Sequence, residues 1–134
     1  MRTHVRFTSE AFPPYPGEEE EIHPGIWGKR LAEYLVSKLR EHGITAGDFY
    51  SEDWGWEIPI HNEAFPIFIG CSNQTCPGGN EFLCFIEPWK PQIRKGLEKI
   101  STTTDVTRIG DALDEILRSH AEIRDMKWIE NEEI

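Results

Sequence analysis

Between Trp54 and Ile60, apolar side chains alternate with polar or small ones, which is the period of a β-strand with one buried face. Two further apolar segments follow after short connections, from Phe65 to Cys71 and from Glu81 to Glu87. Three consecutive strands with short connections predict an antiparallel meander packed on one side. The face that should meet the helices carries Trp54, Trp56, Ile58 and Ile60.

Helical spacing dominates the rest of the chain. Apolar residues three and four apart predict a first helix from about Gly25 to His42, ended by Gly43. In the C-terminal third we expect two helices. The first begins at Pro91, with Ile93, Leu97 and Ile100 on its apolar side, and the second begins near Thr104 or Asp105.

The remaining segments complete a single α+β domain over residues 1–134. Alternation from Thr3 to Thr8 predicts a short first strand. Residues 9–24, rich in proline and glutamate, are expected to form an acidic surface loop, and residues 130–134 a frayed tail. The predicted order is β-α-β-β-β-α-α, with helices packed on an antiparallel sheet of three to four strands.

Charge and composition exclude several classes of protein. With 14 basic and 24 acidic residues, the formal charge is −10, which disfavours a nucleic-acid binder because phosphate contacts need clustered cations. The longest apolar stretch is far too short to cross a bilayer, so we expect no membrane association. Three cysteines without a disulfide-like framework and the lack of a secretory signal fit a cytoplasmic protein.

The cysteines allow two chemical interpretations. Cys71, Cys76 and Cys84, with His61 as a fourth ligand, are spaced too loosely for a usual structural zinc site, and we expect no metal and no cofactor. A thiol enzyme or small hydrolase using Cys71 and His61 is the alternative to a binding protein, although the neighbours of Cys71 supply no activating base. Phosphate-binding and serine-nucleophile motifs are missing, so an enzyme is the less favoured class.

Two clusters suggest binding instead. Trp54 and Trp56 could form a ligand platform. Because burial of an indole is strongly favourable, we expect both rings in the core or at its edge instead. The segment WKPQIRKGLEK contains Lys90, Arg94, Lys95 and Lys99, which suit a phosphate or an acidic peptide; pairing with acids elsewhere in the protein is the favoured explanation.

Strand alternation leaves large apolar groups on the outer face of the sheet. Phe68 and Phe85 are expected there, beside Glu57 and Glu87. Monomers seldom expose such a continuous patch. We therefore expect it to be covered, either by the C-terminal segment of the same chain or by a second copy in a homodimer. The candidate interaction residues are Asp53, Glu57, Phe68, Phe85, Lys90 and Arg94.

A resemblance supports the fold. The segments HPGIWGKRLAEYL, EDWGWEIPI, FPIFIGCSN, FIEPWKPQIRK and IGDALDEIL resemble a family of small bacterial proteins. The resemblance implies a compact α+β domain and transfers no activity, cofactor or catalytic residue. The favoured function is thus a small, acidic binding or regulatory protein with a basic protein partner, in a specific version an immunity-like protein that neutralises a basic toxin.

Overall fold

A six-stranded antiparallel sheet organises the computed structural model, which describes residues 1–129. Its strands occur in the spatial order β2-β3-β4-β5-β1-β8, and a separate hairpin is formed by β6 and β7. The strands are β1 (His4–Thr8), β2 (Tyr50–Glu52), β3 (Gly55–Ile60), β4 (Ile67–Ser72), β5 (Glu81–Glu87), β6 (Gln92–Lys95), β7 (Glu98–Ser101) and β8 (Arg124–Ile129).

Within the described residues, three helices accompany the strands: α1 (Glu18–Glu21), α2 (Lys29–Glu41) and α3 (Thr103–Arg118). Helix α2 carries the predicted apolar stripe and is followed by Gly43, whose φ of 76° is the left-handed conformation that ends helices. Helices α2 and α3 both pack on one face of the sheet, the inner face, and contact each other.

The inner face forms the core because its side chains align across four strands. Val5 lies opposite Cys84, Cys84 opposite Cys71, and Cys71 opposite Trp56. All four side chains are buried, together with the apolar stripes of both long helices. Burial of these closely packed apolar side chains is the main stabilising contribution to such a domain.

The predicted α+β class and the single antiparallel domain are confirmed, whereas the order of elements needs correction. The sheet has six strands, because β2 and β8 extend the predicted set at both edges. Residues 130–134, predicted to fray, lie outside the described residues.

The predicted helix beginning at Pro91 is wrong, because the segment forms the hairpin β6–β7. Ile93 and Ile100 are directly opposed across the two strands, so the seven-residue spacing that suggested a helix reflects cross-strand pairing. Gly96 has a φ of 63° at the first position of the two-residue turn, which is the role of glycine in a type II′ hairpin. Leu97, expected on the apolar side of a helix, is 97% exposed at the tip.

The acidic loop is only partly a solvated surface, because Glu18 is buried at 2% exposure. Its carboxylate accepts hydrogen bonds from the backbone N–H of Tyr15, Gly28 and Lys29 and from the indole N–H of Trp56, each at 2.9 Å. Gly28 and Lys29 begin α2, so a glutamate ten residues upstream caps the helix and complements its dipole. Four hydrogen bonds satisfy a carboxylate whose burial would otherwise be costly.

The described part of the C-terminal segment does not cover the outer face of the sheet, contrary to expectation. Helix α3 lies on the inner face, where a Cβ placed on Gly110 would lie 3.8 Å from Cδ1 of Ile86. Strand β8 pairs with β1 at the sheet edge, and Trp128 there donates to Asp114 of α3 at 2.8 Å. Within residues 1–129, no helix is long and apolar enough to span a membrane.

Candidate functional site

The outer face of the sheet carries a row of directly opposed residues from neighbouring strands. His4 of β1 lies opposite Phe85 of β5, Phe85 lies opposite Gly70 of β4, and Gly70 lies opposite Glu57 of β3. Because Gly70 has no side chain, the sheet is open at the middle of this row. A Cβ at position 70 would lie 2.3 Å from Cζ of Phe85 and 2.7 Å from Cη2 of Trp54, so both rings lean over the glycine.

Phe85 is the centre of an aromatic cluster. Its ring centroid lies 5.1 Å from that of Trp54 and 6.1 Å from that of Phe68, and it stacks on His4 at 5.6 Å with an interplanar angle of 17°. The ring centroid of Trp89 also lies 5.1 Å from that of His4. These separations fall in the range in which aromatic pairs attract one another.

The rings line an open cleft of about 450 Å³, which we call the outer groove. This volume is within the range of binding sites for small ligands or for one or two side chains of a partner. The outer groove is lined by His4, Glu52, Trp54, Glu57, Phe68, Gln74, Leu83, Phe85, Glu87 and Trp89.

Three carboxylates give the outer groove its negative charge. Within residues 1–129, Glu52, Glu57 and Glu87 have no basic side chain within ion-pair distance. Burial raises the pKa of Glu57, and the neighbouring charge of Glu87 raises it further. Burial also raises the pKa of Glu87, an effect opposed by the nearby Lys90. Apolar walls thus hold negative charge with incomplete solvation, a state that a bound cation would stabilise.

His4 belongs to the aromatic floor of the outer groove rather than to its charged groups. The residue is 2% exposed, and its Nδ1 lies 2.9 Å from the hydroxyl of Thr3. Burial lowers the pKa of the imidazole, which keeps the ring neutral at pH 7. A neutral imidazole in contact with two aromatic rings adds no repulsion toward a cation.

The structure brings together some of the predicted interaction residues. Glu57, Phe68 and Phe85 all line the outer groove, as the alternation of the strands implied. Asp53 is exposed in the turn between β2 and β3 and does not line the groove. Arg94 lies on the hairpin, where it lines a separate depression beside the β3–β4 connection.

Trp54 and Trp89 are the groove residues that the sequence interpretation missed. Trp54 was predicted to share the inner face with Trp56, and that prediction is wrong. Only Trp56 is in the core, at 4% exposure, because Asp53 and Trp54 form the two-residue turn that precedes β3. The ring of Trp54 is therefore free to cross to Phe85 on the outer face. Trp89 lies two residues after the end of β5, and this proximity to the strand was the available signal.

The residues of the alternative thiol enzyme are not brought together. Cys71 is buried opposite Trp56, whereas His61 is exposed beyond the far end of β3, about 16 Å along the strand from Trp56. Burial raises the pKa of the Cys71 thiol well above its ordinary value, so the nucleophilic thiolate is disfavoured.

The other cysteines also lack the surroundings of a reactive or metal-binding thiol. Burial raises the pKa of Cys84 to about 12, and Cys76 is exposed in the β4–β5 loop. Among residues 1–129, no group of three or more histidine, cysteine or acidic side chains is arranged to hold a metal ion.

Comparison with protein-family models, with curated proteins and with solved structures finds no match to this chain. The resemblance to small bacterial proteins therefore stays a prediction, and the geometry of the outer groove carries the functional argument.

Proposed function

We propose that the protein is a small binding or regulatory domain that recognises a basic protein partner through the outer groove. The observation that carries the proposal is the combination of four aromatic rings with three unpaired carboxylates in one open cleft. Rings whose faces are accessible attract cations, and carboxylates with incomplete solvation provide the counter-charge. Lysine and arginine side chains satisfy both requirements.

The charge of the whole chain supports a basic partner. At −10, the protein attracts cationic surfaces over long distances and accelerates their encounter. Fully desolvated aromatic residues are also the usual anchors of protein interfaces. An immunity-like role, in which the acidic domain neutralises a basic toxin, is the specific form of this proposal.

We also propose that the protein is located in the cytoplasm. Cys71 and Cys84 are directly opposed on neighbouring strands, yet the three cysteines of the chain are all free thiols. Free cysteines are typical of proteins in reducing compartments.

Calorimetric titration with a short defined probe tests the proposed function. The probe is acetyl-Leu-Arg-Leu-Arg-amide, and acetyl-Leu-Glu-Leu-Glu-amide is the matched control. We expect the cationic peptide alone to bind. We expect Glu57→Gln/Glu87→Gln to weaken its affinity about tenfold, since loss of the two charge contacts together costs about 1.4 kcal/mol.

A second variant controls for net charge. Glu63→Gln/Glu122→Gln removes the same charge at exposed positions outside the outer groove and should leave the affinity within about twofold. Equal weakening by both double variants would mean that only the net charge attracts the peptide. That result would contradict recognition by the outer groove.

A further inference from the structure

The hairpin β6–β7, together with Lys90 at its base, is a basic projection on an acidic protein. Its cations are all exposed, and within residues 1–129 none of them forms an ion pair. Glu98 is the only acid of the hairpin. The sequence interpretation favoured pairing of these cations with acids elsewhere. Lys90 is near enough to Glu87 to affect its pKa, but within residues 1–129 none of the four cations reaches ion-pair distance of an acid. The cations are Lys90, Arg94, Lys95 and Lys99.

Two features of the hairpin are unfavourable in an isolated molecule. Arg94 lies directly opposite Lys99, and like charges in this position repel each other across a strand pair. Leu97 exposes 97% of its surface at the tip. An anionic surface that also offers apolar contacts would relieve both features at once.

The outer groove of the same protein offers these properties. Its carboxylates, Glu52, Glu57 and Glu87, have no ion-pair partner among the described residues, and its aromatic rings can contact an apolar side chain. We infer that the partner includes a second copy of this chain, with the hairpin of each copy bound in the outer groove of the other. This inference rests on the proposed function of the groove.

The connection between hairpin and groove suits a two-fold arrangement. Trp89 lines the outer groove, and the hairpin begins three residues later. Thr102 holds the base of the hairpin, since its hydroxyl donates to the carbonyl of Lys90 and its backbone N–H donates to that of Pro91. Only Lys90 and Pro91 separate Trp89 from the hairpin, and a two-fold axis that passes between hairpin and groove would place each hairpin on the opposite groove. This forms a closed, isologous dimer.

The charge of the chain limits the strength of the dimer. Two copies at −10 repel each other, so association depends on the local complementarity of hairpin and groove. We expect sedimentation equilibrium to show a weight-average mass that rises from 15.5 kDa toward twice that value between micromolar and millimolar concentration.

Charge reversal tests the arrangement specifically. Arg94→Glu/Lys99→Glu makes the hairpin acidic, and Glu57→Lys/Glu87→Lys makes the groove basic. Either variant alone should remain a monomer, because its hairpin and groove then carry the same sign of charge. An equimolar mixture of the two variants should recover the dimer. In the mixed pair, the acidic hairpin of the first variant meets the basic groove of the second, and the basic hairpin of the second meets the acidic groove of the first.

Further variants control for folding and for net charge. Leu97→Asp changes a side chain that is almost fully exposed, so it should weaken the dimer at least tenfold while circular dichroism stays unchanged. Lys38→Glu/Arg108→Glu reverses two charges on the helices and should not affect association beyond the effect of net charge.

Two outcomes would overturn the inference. One is a constant mass of 15.5 kDa at every concentration, and the other is a dimer that persists in the hairpin and groove variants. Binding of the cationic peptide is measured separately, at a concentration where the protein is monomeric. If the monomer binds the peptide, the proposed function is supported even when no dimer is detected.

Discussion

Phe85 lies directly opposite Gly70 in the pairing of β5 with β4, and its ring occupies the space that a side chain at position 70 would fill. The ring of Trp54 also leans over this glycine. A glycine inside a strand weakens that strand unless another group covers it. Here the cover is aromatic, and it forms the wall of the outer groove.

Substitution of Gly70 should therefore disturb the groove more than the fold. In Gly70→Ala the new Cβ displaces the tips of two rings, and overpacking of this kind typically costs about 1–3 kcal/mol. Urea denaturation should show a loss in this range, and calorimetry should show at least tenfold weaker binding of the cationic peptide.

A second substitution separates the two effects. Phe85→Leu in the Gly70→Ala background shortens the side chain that the Cβ would meet, and it should recover part of the lost stability. Peptide binding should not recover, because the central ring of the cluster is gone. Full recovery of binding would show that the Phe85 ring takes no part in recognition.

The two tryptophans of the Trp-Gly-Trp segment should respond differently to truncation. Trp56→Ala removes a buried ring and the indole that donates to Glu18, and it should cost about 3–5 kcal/mol in a denaturant titration. Trp54→Ala removes a half-buried ring from the groove wall and should cost about 1–2 kcal/mol while weakening peptide binding. Equal destabilisation by both variants would contradict the placement of Trp54 on the outer face.

Local periodicity predicted the strands of the meander and the long helix α2, because each of these elements buries one face along its whole length. It failed for the hairpin, since Ile93 and Ile100 are compatible with helical spacing as well as with cross-strand pairing. Gly96 favoured the hairpin, and the helical interpretation gave too little weight to a glycine in the middle of the segment.

The candidate site was predicted in part for a related reason. Alternation placed Phe68, Phe85 and Glu57 on the outer face, because strand geometry determines the side on which each residue lies. The position of Trp54 was predicted wrongly because this residue lies in a turn, where side chains do not alternate between the two faces of the sheet. The buried role of Glu18 depends on a contact with Trp56, 38 residues away, which no local pattern encodes.

Removal of the Glu18 carboxylate should destabilise the protein strongly. Glu18→Ala leaves the N–H groups that begin α2 and the buried indole of Trp56 without their acceptor. Unsatisfied buried donors cost about 1–3 kcal/mol each and are not additive, so we expect a total loss of about 3–4 kcal/mol. Glu20→Ala, at an exposed position of the same short helix, is the control and should change stability by less than about 0.5 kcal/mol.

Binding of the cationic peptide should weaken in mild acid. The pKa values of Glu57 and Glu87 lie above their ordinary value of 4.5, so both carboxylates take up protons at higher pH than exposed glutamates do. Affinity should be full above the raised pKa values and fall as the pH is lowered through them. The pKa of His4 is lowered by burial, and the positive charge that this ring gains in acid acts in the same direction.

The same pKa shifts predict an effect on stability with the opposite sign. A carboxyl group with a raised pKa in the folded state binds its proton more tightly there than in the unfolded chain. Its contribution to the free energy of unfolding therefore increases as the pH falls from above the raised value toward 4.5.

The double variant Glu57→Gln/Glu87→Gln is the control for the pH dependence of peptide binding. Its binding profile should be flatter than that of the unmodified protein, and an unchanged profile would assign the titration to other groups.

Nuclear magnetic resonance of the five indole N–H groups tests recognition by the outer groove most directly. Trp54 and Trp89 line the groove, whereas Trp27 and Trp56 are buried on the other side of the sheet. During titration with the cationic peptide, we expect the signals of Trp54 and Trp89 to shift together with one dissociation constant while those of Trp27 and Trp56 stay in place. Binding of the peptide without movement of the Trp54 and Trp89 signals would contradict the assignment of the outer groove as the binding site.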